Sequence, residues 1–160
     1  MTIVHFHLLL NHVPVVGAAL GAVLLVYAVV RRSNEVAKLA LALCAALAVI
    51  TVAVFFTGEP AEEAIEHMPG FSNAIVEPHE ELALLSTIAF VGLGVLGLAA
   101  LAYFRRRLLP RWVAAAGLAL SLTVSGMMAV TANLGGQIRH SEIRAGANLG
   151  STDGDDEHRK

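Results

Sequence analysis

Charge is scarce in this 160-residue chain: only 15% of its residues are Asp, Glu, Lys or Arg, against about a quarter in ordinary soluble domains. Together with an apolar content of 56% and a mean hydropathy of +0.68, that shortage excludes a soluble catalytic domain. A basic surplus is missing as well. With 11 basic residues against 13 acidic ones and a pI near 6.4, the chain lacks the positive surface that phosphate backbones require, so nucleic acid is set aside. Cysteine occurs once, at Cys44, which excludes a disulfide framework; inside an apolar run it reads as a small buried filler. The segment from Met1 to Phe6 has no Lys or Arg, and the apolar run after it is too long for a signal peptide. It reads as a retained membrane span.

What the chain has in quantity is long apolar runs, over residues 8–30, 36–57, 82–104 and 112–134. Each makes a helix of about 34 Å at about 1.5 Å per residue, enough to cross a hydrocarbon core of about 30 Å. Short connections between spans predict an all-α, integral-membrane, up-down-up-down four-helix bundle. Residues 1–149 form this one domain, and the polar stretch 150–160, GSTDGDDEHRK, reads as a disordered tail.

Arg31, Arg32 and Lys38 lie between the first two spans, and Arg105, Arg106, Arg107 and Arg111 between the last two. The loop from Gly58 to Glu81 has no Lys or Arg but holds Glu59, Glu62, Glu63, Glu66, Glu77, Glu80 and Glu81. Positive loops stay in the cytoplasm, so both termini and the acidic loop are expected outside, at the periplasmic face of a bacterial inner membrane. Small residues mark the expected inward faces: Gly17 and Gly21 as a GxxxG, and Gly117, Ser121, Ser125, Ala129 and Asn133 at four-residue steps. Gly92, Gly94 and Gly97 spell GxGxxG, yet no strand precedes them, and they read as packing glycines.

All seven histidines fall on the outer side of this topology. His12, in Asn11-His12-Val13-Pro14, sits inside the first span, where an unpaired polar group is costly. Two readings stand: a ligand, or an imidazole bonded to a backbone carbonyl, of which Pro14 frees one nearby. A helix beginning before residue 5 stacks His5 on His12 and turns His7 about 140° away. His79, in Glu77-Pro78-His79-Glu80-Glu81, is expected at the head of the third span, with Glu77 as cap and Pro78 in the first turn. It is either a ligand or a solvated loop residue. His140 follows Gly135 and Gly136, which either end the fourth span or let a flat cofactor approach the backbone. In a short helix expected over residues 59–67, Glu63 and His67 stand four apart, which suits a metal pair and equally a solvated face.

The two halves echo each other, with a histidine near the first outer end, arginines inside and a glycine at the exit. A twofold axis along the membrane normal would bring His12 to His79 across a bundle core, the arrangement that axial ligation of haem b requires. No CxxCH is present, so such a haem is non-covalent.

The pattern of His7, His12 and Pro14, His79 at the head of span three, and Gly135-Gly136 before His140 resembles a family of small four-span bacterial membrane proteins of unknown function, some of which are fused to Rieske iron–sulfur domains. That resemblance covers roughly residues 5 to 141. It implies electron transfer, with one or two haems b held by His12 with His79 and His7 with His140, and with periplasmic or quinone-linked redox proteins as partners beside the lipid bilayer. An independent enzyme is not expected. Two rival readings are a divalent ion (Zn, Cu or Fe) held by histidines 7, 12, 79 and 140 or by a set including His5, Glu63 and His67, and a cofactor-free structural subunit of a larger membrane complex.

Overall fold

The computed structural model describes residues 2–67, 71–140 and 143–144. All regular structure among them is helical: α1 (Ile3–Leu10), α2 (His12–Arg31), α3 (Asn34–Phe55), α4 (Gly58–Glu63), α5 (Asn73–Tyr103) and α6 (Arg111–Arg139). Four stretches are long and apolar enough to cross a membrane: Ile3–Arg31, Asn34–Phe55, Asn73–Tyr103 and Arg111–Ile138. The polar tail expected over residues 150–160, with His158, lies outside the described residues.

α1 and α2 belong to one span. Pro14 has no N–H to offer the Leu10 carbonyl, which interrupts the hydrogen-bond ladder, but Asn11 keeps helical angles (φ −64°, ψ −23°). At the other end of α2, Arg32 takes the left-handed conformation (φ 55°), and its N–H caps the carbonyls of Ala28 and Val29. Ser33 then opens α3, its hydroxyl accepting from the Val36 N–H at 3.4 Å.

Several boundaries differ from the sequence reading: the first span opens at Ile3 rather than residue 8, and α6 runs to Arg139 rather than 134. α5 starts at Asn73 behind Ser72, nine residues before the expected span, so Glu77 is not its cap and Pro78 lies inside the helix. Burying Val76, 4% exposed, gives that extra turn a packing partner that local cap preferences do not show. The short outer helix α4 ends at Glu63, and turns continue through His67.

The long helices form a ring in which α2 packs on α3, α3 on α5, α5 on α6 and α6 back on α2. In α2 and α6 a buried seam follows alternating steps of three and four, while α3, packed on both α2 and α5, buries a wider face. In α2 this seam is Pro14, Ala18, Gly21, Leu25 and Ala28, with Ala22 buried beside it, and in α6 it is Ala114, Gly117, Ser121, Val124 and Met128. An average step of 3.5 keeps a seam on one face of a gently coiled helix. The four-residue stripe expected in α6 therefore fails at its outer end. Successive steps of four drift by about 40° each, so Gly117 and Ser121 are buried while Ala129 and Asn133 are exposed.

Glycines bring the ring close. A methyl group on Gly94 would meet the Cβ of Ala48 at 2.6 Å, and one on Gly17 would meet Leu47 at the same distance. Gly21 faces the buried Cys44, Gly97 faces Leu41, and Gly92 faces open space. At the end that holds Arg32, the Lys38 ammonium donates to the carbonyls of Phe104 and Arg107, both at 2.8 Å. Beside it, Asn34 Oδ1 accepts from the Leu109 N–H at 2.7 Å, fastening the α5–α6 connection over the head of α3.

Candidate functional site

The 3.5-residue seam decides which histidines face inward. Seven residues before the buried Pro14 lies His7, and three after the buried Val76 lies His79; both are half-buried. His5 and His12 stand off the seam and are exposed. The helix does begin before residue 5, so His7 points away from His5 and His12 as geometry requires, but the inward member is His7.

His7 and His79 are within electrostatic reach of each other. The His79 ring lies over Gly135, where a Cβ would sit 3.0 Å from its Cε1, so hydrogen in place of a side chain is what admits the imidazole. Gly135 and Gly136 thus neither end α6, which runs on to Arg139, nor lie open; the flat group on Gly135 is His79. His7 Cε1 approaches Gly58 in the same way, with 3.8 Å to the position of an added Cβ.

Hydrogen-bond chemistry fixes both rings in one tautomer. His79 Nδ1 lies 3.0 Å from the Thr131 carbonyl, which only accepts, so Nδ1 carries the proton. His7 Nδ1 lies 2.8 Å from the Thr57 hydroxyl. That hydroxyl has one proton, and it is given to the Val54 carbonyl at 2.7 Å, so its oxygen accepts from His7 Nδ1–H. In the neutral state each ring keeps its lone pair on Nε2, the form that a metal or haem iron takes up. Behind them Ser86, fully buried, donates to the Thr131 hydroxyl at 3.0 Å, because Thr131 spends its own proton on the Met127 carbonyl. Thr57, Thr131 and Ser86 were not legible as site residues in the apolar pattern. The available signal is that each is a hydroxyl within one turn of an expected exit glycine or one seam repeat from His79.

The other expected residues have local partners. His12 Nδ1 donates to the Leu8 carbonyl of its own helix at 2.7 Å. The His5 ring meets the Thr2 hydroxyl at 2.7 Å, and His67 Nε2 lies 3.3 Å from Glu66. His140 caps the C-terminus of α6, its backbone N–H on Gly136, and Glu63 is exposed on α4. The helical angles at Asn11 carry α1 into α2 and leave His12 about 140° from the inward face, so the first-span imidazole that stands near His79 is His7. Among the described residues no group of three or more His, Cys, Asp or Glu gathers as a metal site.

Outside the spans, Glu62 of α4 hydrogen-bonds to Glu80 of α5. That bond, partial burial and the charges of Glu80, Glu66 and Glu59 push its carboxyl up to about 7. Neighbouring carboxylates thus favour the protonated form of Glu62. No family model, curated protein or solved structure matches the chain.

Proposed function

We propose that the protein is a membrane electron carrier that holds one haem b between His7 and His79. The observation that carries this reading is the pair of half-buried imidazoles on different helices, each with Nδ1 hydrogen-bonded and with no hydrogen bond at Nε2 among the described residues, which leaves that nitrogen to bind iron. Two imidazoles are the whole protein share of a six-coordinate haem iron, whose other four ligands come from the macrocycle, whereas a closed zinc site takes four. Bound there, haem supplies one-electron transfer without an open coordination position.

The chain's own residues do the positioning. Thr57 and Thr131 orient the rings and raise their basicity as ligands, Ser86 holds Thr131, and Gly135 leaves room for His79. In the proposed topology the spans alternate up and down, the arginine turns lie in the cytoplasm, and both termini and the site lie at the periplasmic side of an inner membrane. Contact of the head of α5 with the last turns of α6, and the charge asymmetry of the loops, support it. Electrons would then be exchanged with a periplasmic or quinone-linked partner at the outer end.

Absorption spectroscopy tests the proposal. Protein purified from haem-replete cells should show a Soret band that His7→Ala and His79→Ala each remove and His12→Ala leaves in place. No Soret band in the unaltered protein, or one that survives both of the first two substitutions, refutes it. Stoichiometric zinc or copper without porphyrin would assign the pair to a bare ion instead.

A further inference from the structure

The end of the bundle away from the histidines carries six guanidinium groups that no carboxylate among the described residues pairs. Arg31, Arg32, Arg105, Arg106, Arg107 and Arg111 are all exposed, and among the described residues their side chains make no hydrogen bond or ion pair. Only one carboxylate, Glu35, belongs to the two connections that bear them. Lys38 behaves differently. Its ammonium is spent on the Phe104 and Arg107 carbonyls, and with Asn34 it fastens the Phe104–Leu109 connection to α3. Beneath that connection Ala28, Ala37 and Ala114 pack with Leu109, joining the end of α2 to the starts of α3 and α6. The fold thus draws two separate arginine groups to one rigid cap.

A second feature gives the depth of that cap. The chain has one Trp and two Tyr, and all three lie here: Trp112 is 71% exposed, Tyr103 70% and Tyr27 52%. Trp and Tyr gather at the headgroup level of a bilayer, where an apolar ring and a polar tip are both satisfied. Arg111 adjoins Trp112 in the chain, and Arg31 lies one helical turn beyond Tyr27. Arg32 holds its charge in the left-handed conformation at the helix end, a place where glycine is the strain-free choice.

We propose that this cap is a binding surface for anionic phospholipids, whose phosphodiester oxygens are held by guanidinium groups from both connections while the headgroups lie against Trp112, Tyr103 and Tyr27. Guanidinium groups match phosphate oxygens in bidentate geometry, and their mutual repulsion is relieved when the lipid supplies the missing negative charge. The surface is independent of the histidine pair, and either proposal can fail without the other.

Trp112, the one tryptophan, is a built-in reporter. The full-length protein is reconstituted in phosphatidylcholine vesicles containing a small fraction of brominated phosphatidylglycerol or brominated phosphatidylcholine, and quenching of Trp112 is titrated. The anionic lipid should quench at a mole fraction lower by about fivefold or more, the factor expected for each basic residue that feels an anionic surface. That preference should fall towards unity at about 1 M salt, where screening acts within about 3 Å. It should also be lost in Arg31→Gln with Arg111→Gln and retained in Arg31→Lys with Arg111→Lys, which controls for folding. Equal quenching by the two lipids in the unaltered protein overturns the proposal. So does a preference that survives both high salt and the glutamine variant, or one abolished by millimolar inorganic phosphate, which would make the surface a site for the free ion.

Discussion

Replacing Thr57 by Val removes one oxygen and probes the logic of the site at a single atom. The hydroxyl makes two bonds, donating to Val54 at 2.7 Å and accepting from His7 at 2.8 Å. The Val54 carbonyl keeps a partner when the hydroxyl goes, because the Thr57 backbone N–H also donates to it, at 3.0 Å. The loss therefore falls on His7, whose Nδ1–H loses the hydroxyl that orients it and keeps only the neighbouring Val54 carbonyl as a partner. One hydrogen bond of this kind contributes about 0.5–1.5 kcal/mol to stability, a tolerable loss for the fold. For a bound metal group the effect is larger in proportion. Outer partners of ligating histidines carry about 10–100-fold in affinity, or about 1.4–2.7 kcal/mol. Two measurements check this. In cofactor-free protein, ¹⁵N shifts of His7 should report the Nδ1–H tautomer, show less of it in Thr57→Val and recover it in Thr57→Ser. In haem-loaded protein, Thr57→Val should release haem about 10–100-fold more readily. An Nε2–H tautomer for His7 in the unaltered protein, or a tautomer indifferent to Thr57→Val, refutes the reasoning whether or not haem binds.

Gly135→Ala sets a gain in helix propensity of about 1 kcal/mol against a Cβ placed 3.0 Å from His79 Cε1, so the unfolding midpoint should move little while the His79 Nδ1–H signal shifts as its bond to Thr131 lengthens. Gly94→Ala and Gly92→Ala form a matched pair: the first drives a methyl into Ala48 and should cost about 1–3 kcal/mol in detergent unfolding, while the second meets nothing and should be neutral or stabilising by up to about 1 kcal/mol. The Glu62 carboxyl, raised to about 7 from 4.5, holds a proton in the native state that the unfolded chain gives up at lower pH. The unfolded state then binds fewer protons between about pH 4.5 and 7, so stability should fall as pH rises through that window and level off above it. Melting curves across the range should show that slope, and Glu62→Gln should flatten it.

The span number and the positions of the connections were legible because apolar run length and charge placement report directly on the cost of moving groups into lipid. Helix facing was less so. In soluble helices polar residues mark the outside, but here lipid-facing and core-facing positions are equally apolar, and Val16 and Val23 are exposed while Ala18 and Leu25 are buried. Small residues were the informative class. Their true step is 3.5, and following four-residue steps in α6 went wrong by Ala129. The same register separates His7 from His12. In the sequence His12 stands out by its apparent depth and its neighbour Pro14, whereas in the fold the carbonyl of Leu8 satisfies it locally. The early start of α5 was hidden because Glu77-Pro78 is a stronger local start signal than Ser72-Asn73, and tertiary burial of Val76 outweighs it.

The closure of the ring sets an order of events during synthesis. α2 can seat on α3 as soon as the second span has inserted, but its contact with α6 joins residues about a hundred positions apart and waits for the last span. His7 and Thr57 are therefore in place early, whereas the carbonyl and the glycine that steer His79 belong to residues 131 and 135. A nascent chain released before residue 135 would display one oriented imidazole and one unguided imidazole, so the proposed centre can assemble only after α6 has been made.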